Sequence, residues 1–378
     1  MRLRAVLSAA AVAAGLVLPA GTAVAAEPDP PPATVLTLTS SAGRLTAGTA
    51  HTLTARLTTA ETGEPVPDAA VTLQRRVAGA SAYTVLATVV TGADGVARLV
   101  HNPDVTADYT ARHAGDATLG ASSAGPVRVS VAHRVRAALN KTAARVRSEV
   151  TLTGSVQPAH PGATVRIERY SGGAWRLVTT RRLTTASTFR AVLTTPATKG
   201  WTRYRVVRPA DGNNLSGVKN LPRLDSYRLH TYVVRTRGTI VVPMDRFRAA
   251  VASIYADRRG WLRGHDRFRR VARGGDFTVV LSQARYLPSY NPICSTQWSC
   301  RAGRYVVINQ NRWRWGSRYF PGSLTQYRQM VVNHETGHWL GNRHAYCPGK
   351  GRPAPVMQQQ SKGMQGCTPN AWPLAREL

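Results

Sequence analysis

Cysteine is missing from the first 293 residues: Cys294, Cys300, Cys347 and Cys367 all stand in the last quarter of the chain. Disulfide cross-linking is therefore excluded from most of the protein. Lysine is scarce too, five in 378 residues, so the cationic excess is almost entirely arginine. Acidic residues number 19 against 50 Lys and Arg, a formal charge of +31. Beyond the N-terminus no apolar run approaches the ~18 residues a membrane-spanning helix needs, so no transmembrane segment is expected. No recognisable nucleic-acid module accompanies the charge, and specific nucleic-acid binding is not expected.

The charge is unevenly spread. Residues 27–131 hold 7 Lys and Arg against 9 Asp and Glu, residues 132–222 hold 16 against 3, and residues 223–378 hold 25 against 7. The nets are −2, +13 and +18. A field of this sign favours polyanions such as anionic cell-envelope polymers. The alternative is an arginine-biased composition with solvated guanidiniums and no partner.

The chain opens with Arg2 and Arg4, an apolar run from Ala5 to about Leu18, and small residues ending Ala23-Val24-Ala25-Ala26. This is the order of a secretory signal peptide, so residues 1–26 are read as an export signal and the product as secreted. An uncleaved N-terminal anchor is the rival. A proline-rich linker, residues 27–33, follows. From Thr34 the texture is short alternating segments rich in Val, Thr and Leu: Val35–Thr39, His51–Leu57, Ala70–Arg75, Tyr83–Val89 and Val96–Val100. Turn residues such as Ala93-Asp94-Gly95 separate them, which predicts an antiparallel β-sandwich. The pattern then recurs about 95 residues later. Thr52–Leu57 is echoed by Thr151–Val156, Val71–Arg76 by Val165–Tyr170, and Tyr109–Asp116 in outline by Tyr204–Asp211. Two tandem sandwiches, 34–131 and 132–222, are the economical reading. These segments resemble the immunoglobulin-like modules of exported bacterial proteins. Neither shows a concentrated His, Cys or carboxylate cluster, and spacer or stalk roles are expected for both.

From residue 223 strand and helix patterns mix, predicting an α+β domain over 223–378. Tyr232–Val234, Phe277–Leu281 and Tyr305–Ile308 read as strands. Asp245 to Tyr255 places Phe247, Ala250, Val251 and Ile254 on one helical face, with Asp245 as N-cap. Leu324–Leu340 has no Pro or Gly before Gly337 and reads as a further helix.

That helix carries His334-Glu335-Thr336-Gly337-His338, continued by Trp339-Leu340-Gly341-Asn342-Arg343-His344. Every fixed position of H-E-x-x-H-x-x-G-x-x-H is filled. One helical turn separates His334 and His338, so both imidazoles can converge on one ion. Gly341 can adopt the left-handed conformation that ends the helix and brings His344 in as a third ligand. Imidazole suits zinc, and three protein ligands leave a position open for catalysis. Glu335, beside the first ligand, is placed as general base. One catalytic zinc ion is the expected cofactor.

On this motif the sequence resembles the metzincin branch of zinc peptidases, in which a methionine follows in a tight turn beneath the metal. Met357, 13 residues past His344 in Ala354–Gln360, is the natural candidate, and Met364 the runner-up. The resemblance implies a hydrophobic floor, not a ligand. Gln359 stands two residues after Met357, where some members of the branch place a metal-binding tyrosine. No Cys precedes Cys294, so a propeptide cysteine switch is not expected. Asn333–Glu335, Ala354–Gln359, Asp257–Trp261 and Cys294–Asn309 also resemble a family of exported actinobacterial proteins whose domain has no known function. That resemblance covers roughly 225–378.

Four cysteines allow three pairings; the local one, Cys294 with Cys300 and Cys347 with Cys367, is preferred. Tyr346 reads as a structural aromatic before a substrate contact, Arg343 as a solvated charge, and Trp339 as core. The leading expectation is a secreted zinc endopeptidase acting on protein or peptide substrates, held near the envelope by its modules. The alternatives are a zinc-containing, non-catalytic envelope adhesion protein and a zinc amidase of wall peptides.

Overall fold

The computed structural model describes residues 30–378; the expected export signal and the first residues of the linker lie outside the described residues. The first sandwich packs a three-stranded sheet against a five-stranded one. Thr34–Ser40, His51–Thr59 and Val96–His101 form the small sheet. Along His51–Thr59, Leu53, Ala55 and Leu57 point inward with the two-residue period of a strand. They meet Val71, Leu73, Tyr109 and Val129 of the facing sheet. Gly95 closes the expected turn at φ +71, where a Cβ would lie 2.6 Å from the Leu57 carbonyl oxygen. Glycine is the residue that fits there.

The second sandwich repeats the plan with Arg134–Leu139, Glu149–Gln157 and Thr188–Thr194 facing a four-stranded sheet. Each sequence echo occupies the matching place. The strands His51–Thr59 and Glu149–Gln157 are the centres of their three-stranded sheets. Tyr109 and Tyr204, the partners in the third echo, are both buried in their respective cores.

The strand Leu224–Arg237 then serves two units at once. Its first residues pair with Ala143–Arg145 and Gly200–Thr202 of the second sandwich. Its remainder pairs in parallel with Asp266–Arg270 and Phe277–Ser282. Leu224 lies in the second sandwich's core, while Tyr232 and Val234 lie in that of the C-terminal unit. A boundary drawn between 222 and 223 therefore falls at the start of a shared strand, with no free linker there. Beside this strand, buried Asp266 accepts hydrogen bonds from His230 Nε2 (2.9 Å) and from Lys199 Nζ of the second sandwich. Burial pushes its carboxyl up, but these hydrogen bonds outweigh that and hold it below the usual carboxylate range. Such a depressed group stabilises the fold above its unfolded pKa, and that stability is lost as pH falls through the folded value. Asp266→Asn is expected to cost about 2–4 kcal/mol near neutrality. In urea titrations, the wild type's advantage should shrink as pH falls below the usual carboxylate range; an advantage independent of pH would remove the ion-pair explanation.

The C-terminal sheet continues with Tyr305–Asn309, parallel to Phe277–Ser282, and ends on the antiparallel edge strand Cys300–Ala302. Helix α1, Met244–Ala256, buries Phe247, Val251, Ile254 and Tyr255 in the core formed with this sheet. Its cap differs from expectation: Pro243 occupies the N-cap with no side-chain bond, and Asp245 sits in the first turn. Proline's fixed φ suits a helix entry, and the carboxylate there complements the helix dipole. Helix α2 is Gln310–Trp315. Helix α3, Leu324–Trp339, starts on a reciprocal cap between Ser323 and Gln326 and is buried on most sides from Met330 to Gly337. Among the described residues, no helix is long and apolar enough to cross a membrane.

Candidate metal centre

Helix α3 carries His334, Glu335 and His338 toward a cleft of about 570 Å³. Gly341 follows the helix at φ +104, its N–H bonded to the His338 carbonyl, and the chain turns to bring His344 opposite. The ligand-capable atoms of His334, His338 and His344 all lie within 4.8 Å of one another. The His338 and His344 Nε2 atoms are 3.0 Å apart.

Protonation decides what these rings can do. His334 Nδ1 lies 2.8 Å from the Val356 carbonyl oxygen, and His338 Nδ1 lies 2.9 Å from that of Asn342. A carbonyl only accepts, so each Nδ1 carries the proton and each Nε2 presents a lone pair. Burial, with the neighbouring imidazoles adding to it, holds His334 down to about 3. Burial also lowers His338 and His344. Three neutral imidazoles facing one point, two of them oriented by backbone carbonyls, suit a zinc ion. Burial pushes the Glu335 carboxyl up to about 8, partly opposed by Arg301 and Lys362, which also line the cleft.

The floor is built from residues remote in sequence. Pro355–Gln358 forms a turn closed by Gln358 N–H to the Pro355 carbonyl (3.0 Å). Met357 is buried within it, against Trp261 and Val356. Met364 packs elsewhere, beside Phe320 and Tyr327. Gly337 shows why Met357 can come so close: a Cβ there would sit 2.3 Å from Met357 Sδ and 2.8 Å from the Trp261 ring. Gly337→Ala is therefore expected to cost about 1–3 kcal/mol through overpacking and to weaken metal binding. Thermal denaturation with and without zinc checks both, and an unchanged variant would mean that the floor has slack.

Glu377 was not singled out in the sequence. Its carboxylate accepts from the backbone N–H of Val356 (3.0 Å) and Met357 (2.8 Å), fixing the carbonyl that orients His334. Its only signal was being one of seven acidic residues in an arginine-rich segment. The contributions of Arg301, Lys362 and Gly337 were likewise unread. Gln359 lines the cleft at the position two beyond Met357. Tyr346 is 76% exposed and does not line the cleft, contrary to a packed structural aromatic. Arg343 is exposed, and Trp339 stacks on Phe277 with ring centroids 4.3 Å apart. Both local disulfides form: Cys294–Cys300 beside the edge strand, with Cα atoms 5.7 Å apart, and Cys347–Cys367 around the Met357 turn, at 5.8 Å.

A family profile described as "Protein of unknown function (DUF3152)" matches residues 213–373, which include every residue of the His334–His344 motif and Met357. No curated protein matches. Among solved structures, the chain is similar to the D0-D1 domain of intimin, with 17% identity over 51% of this chain and 97% of that one, at a TM-score of 0.22. It is similar to the Yersinia pseudotuberculosis adhesin InvE, with 13% identity over 51% of this chain and 58% of that one (TM-score 0.24). A third is a tetra-tandem repeat from the extending region of a large adhesion protein, with 17% identity over 52% of this chain and 50% of that one (TM-score 0.23). The chain thus spans between half and three-fifths of the length of the latter two.

Proposed function

We propose that this chain is an exported zinc-dependent hydrolase of peptide bonds. The observation that carries the reading is the convergence of His334, His338 and His344 beside a buried Glu335 in an open cleft. His334, His338 and His344 would hold the zinc, which would supply Lewis-acid polarisation of the scissile carbonyl. In its ionised form, Glu335 takes a proton from the attacking water as the new C–O bond forms, and passes it to the amine nitrogen as the C–N bond breaks. The products are a carboxylate and an amine.

Cys300–Ala302 is the edge strand of its sheet and lines the cleft. An extended peptide can pair with such an edge and be held across the site. Arg301 and Lys362 face the same space, with Glu335 the sole acidic residue of the lining, which favours substrates with acidic side chains. The same parts suit wall peptides as well as proteins.

A second reading, a non-catalytic envelope-binding protein, draws on the two sandwiches ahead of this unit and the net +13 of residues 132–222. The test is digestion of a proteome-derived peptide library and of wall peptides by residues 27–378, read by mass spectrometry. New termini that vanish with a chelator, return with zinc and cluster near Asp or Glu are expected. A folded, zinc-loaded chain that cuts nothing would leave the binding reading standing.

A further inference from the structure

The joint between the two sandwiches holds a second cluster of ligand-type side chains, far from α3 in sequence. His133 lies between Ser122–Ala132, the last strand of the first sandwich, and Arg134–Leu139, the first of the second. His160 sits in the turn after Glu149–Gln157, and Asp211 in the loop after Tyr204–Arg208. Asp211 Oδ2 lies 3.1 Å from His133 Nε2 and 3.7 Å from His160 Nε2. The two rings stand edge to face with centroids 4.9 Å apart. We propose that His133, His160 and Asp211 form a second zinc-type metal site that ties the two sandwiches together.

Three observations carry this. First, the spacings bracket the ~3.3 Å separation of two ligand atoms in a tetrahedron with 2.0–2.1 Å arms. Second, the side chain of His133 is fully buried; its Nε2 faces Asp211 Oδ2 at 3.1 Å without the alignment of an N–H hydrogen bond, and the buried His160 Nε2 makes no hydrogen bond either. Buried polar atoms left this way are costly, and a cation would satisfy two of them at once. Third, the carboxylate is aimed. Asp211 Oδ1 accepts from the N–H groups of Asn213 (3.0 Å) and Asn214 (2.9 Å), which turns Oδ2 toward the histidines. Arg208 Nη2 also donates to Oδ2 (2.9 Å), while its Nη1 is anchored on the Pro209 carbonyl. An oxygen with two lone pairs can serve an ion and this donor together, as carboxylate ligands with outer partners do.

His160 and Asp211 remain about one-quarter exposed, which leaves the ion a path in and a place for water. The cluster also sits where the sandwiches already touch. Asn214 Nδ2 donates to the Asp104 carbonyl (2.7 Å), and Leu215 N–H to that of Val131 (2.8 Å). An ion held by His133 and by the Asp211 loop would stiffen the joint and set the angle at which the first sandwich leaves the second.

The inference does not depend on the α3 centre and is tested apart from it. Residues 27–378 carrying His338→Ala and His344→Ala are dialysed against zinc, and metal content is measured by mass spectrometry. One zinc per chain is expected, against two in the wild type, and none once His160→Gln is added. Zinc should raise the melting temperature of the double variant by several degrees, and that rise should disappear with His160→Gln. Cobalt(II) titration of the double variant gives an independent reading: visible absorption of tetrahedral type is expected. A folded double variant that retains no zinc and gives no such absorption overturns the proposal, as does retention that His160→Gln leaves unchanged.

Discussion

Glu335→Ala is expected to lower peptide hydrolysis by at least ~10³-fold while leaving the zinc content of the chain unchanged. The residue is buried, and it stands one position after the first imidazole on a helix whose start is fixed by the Ser323–Gln326 cap. It supplies no ligand to the trio of nitrogens, so its removal takes away the proton carrier and spares the donors. Glu335→Gln keeps the shape and removes the basicity, and it should be equally inactive. A variant that loses zinc along with activity would mean that Glu335 organises the helix. One that cleaves at close to the wild-type rate would remove Glu335 as general base and, with it, the proposed mechanism.

The second large effect is on stability. Replacing Cys347 and Cys367 together with serine should cost about 3 kcal/mol, from the 20-residue span that the bond closes. The same change at Cys294 and Cys300, six residues apart, should cost about 2 kcal/mol. The larger loss also falls on the site. The 347–367 span contains the Pro355–Gln358 turn, whose Met357 carbonyl accepts from Ala345 N–H and whose Val356 carbonyl orients His334. The loop is also tied by a short parallel bridge between Pro353 and Thr368 and by the Gly351 N–H bond to the Gly366 carbonyl (2.8 Å). Zinc affinity should therefore fall in the first variant and hold in the second. Urea unfolding with and without zinc separates the two, and equal zinc affinities would show that the turn is held by Glu377 and packing alone.

Much of this architecture was legible because its signals are local. Alternating Val, Thr and Leu place every second side chain on one face, so the sandwiches and their repeat could be read from short windows. The spacing of His334 and His338 is a helical turn, and Gly341 stands where the chain must reverse, so the three imidazoles could be brought together on paper. The preferred disulfides also join near neighbours in the chain.

What the windows missed depends on residues that meet only after folding. Gly337 looked like an ordinary helix position, but Met357 and Trp261 leave no room for a Cβ. Glu377 holds the turn beneath the centre from 20 residues away. The two sandwiches showed no cluster along the chain, yet His133, His160 and Asp211 converge where one meets the other. The shared strand Leu224–Arg237 has the same origin. Its pairing with both neighbours is set by hydrogen bonds to strands as far as 82 residues away, and no periodicity within one segment encodes such a partner. Local pattern determined the elements and the first centre's donors; long-range packing decided what supports those donors and where the units are joined.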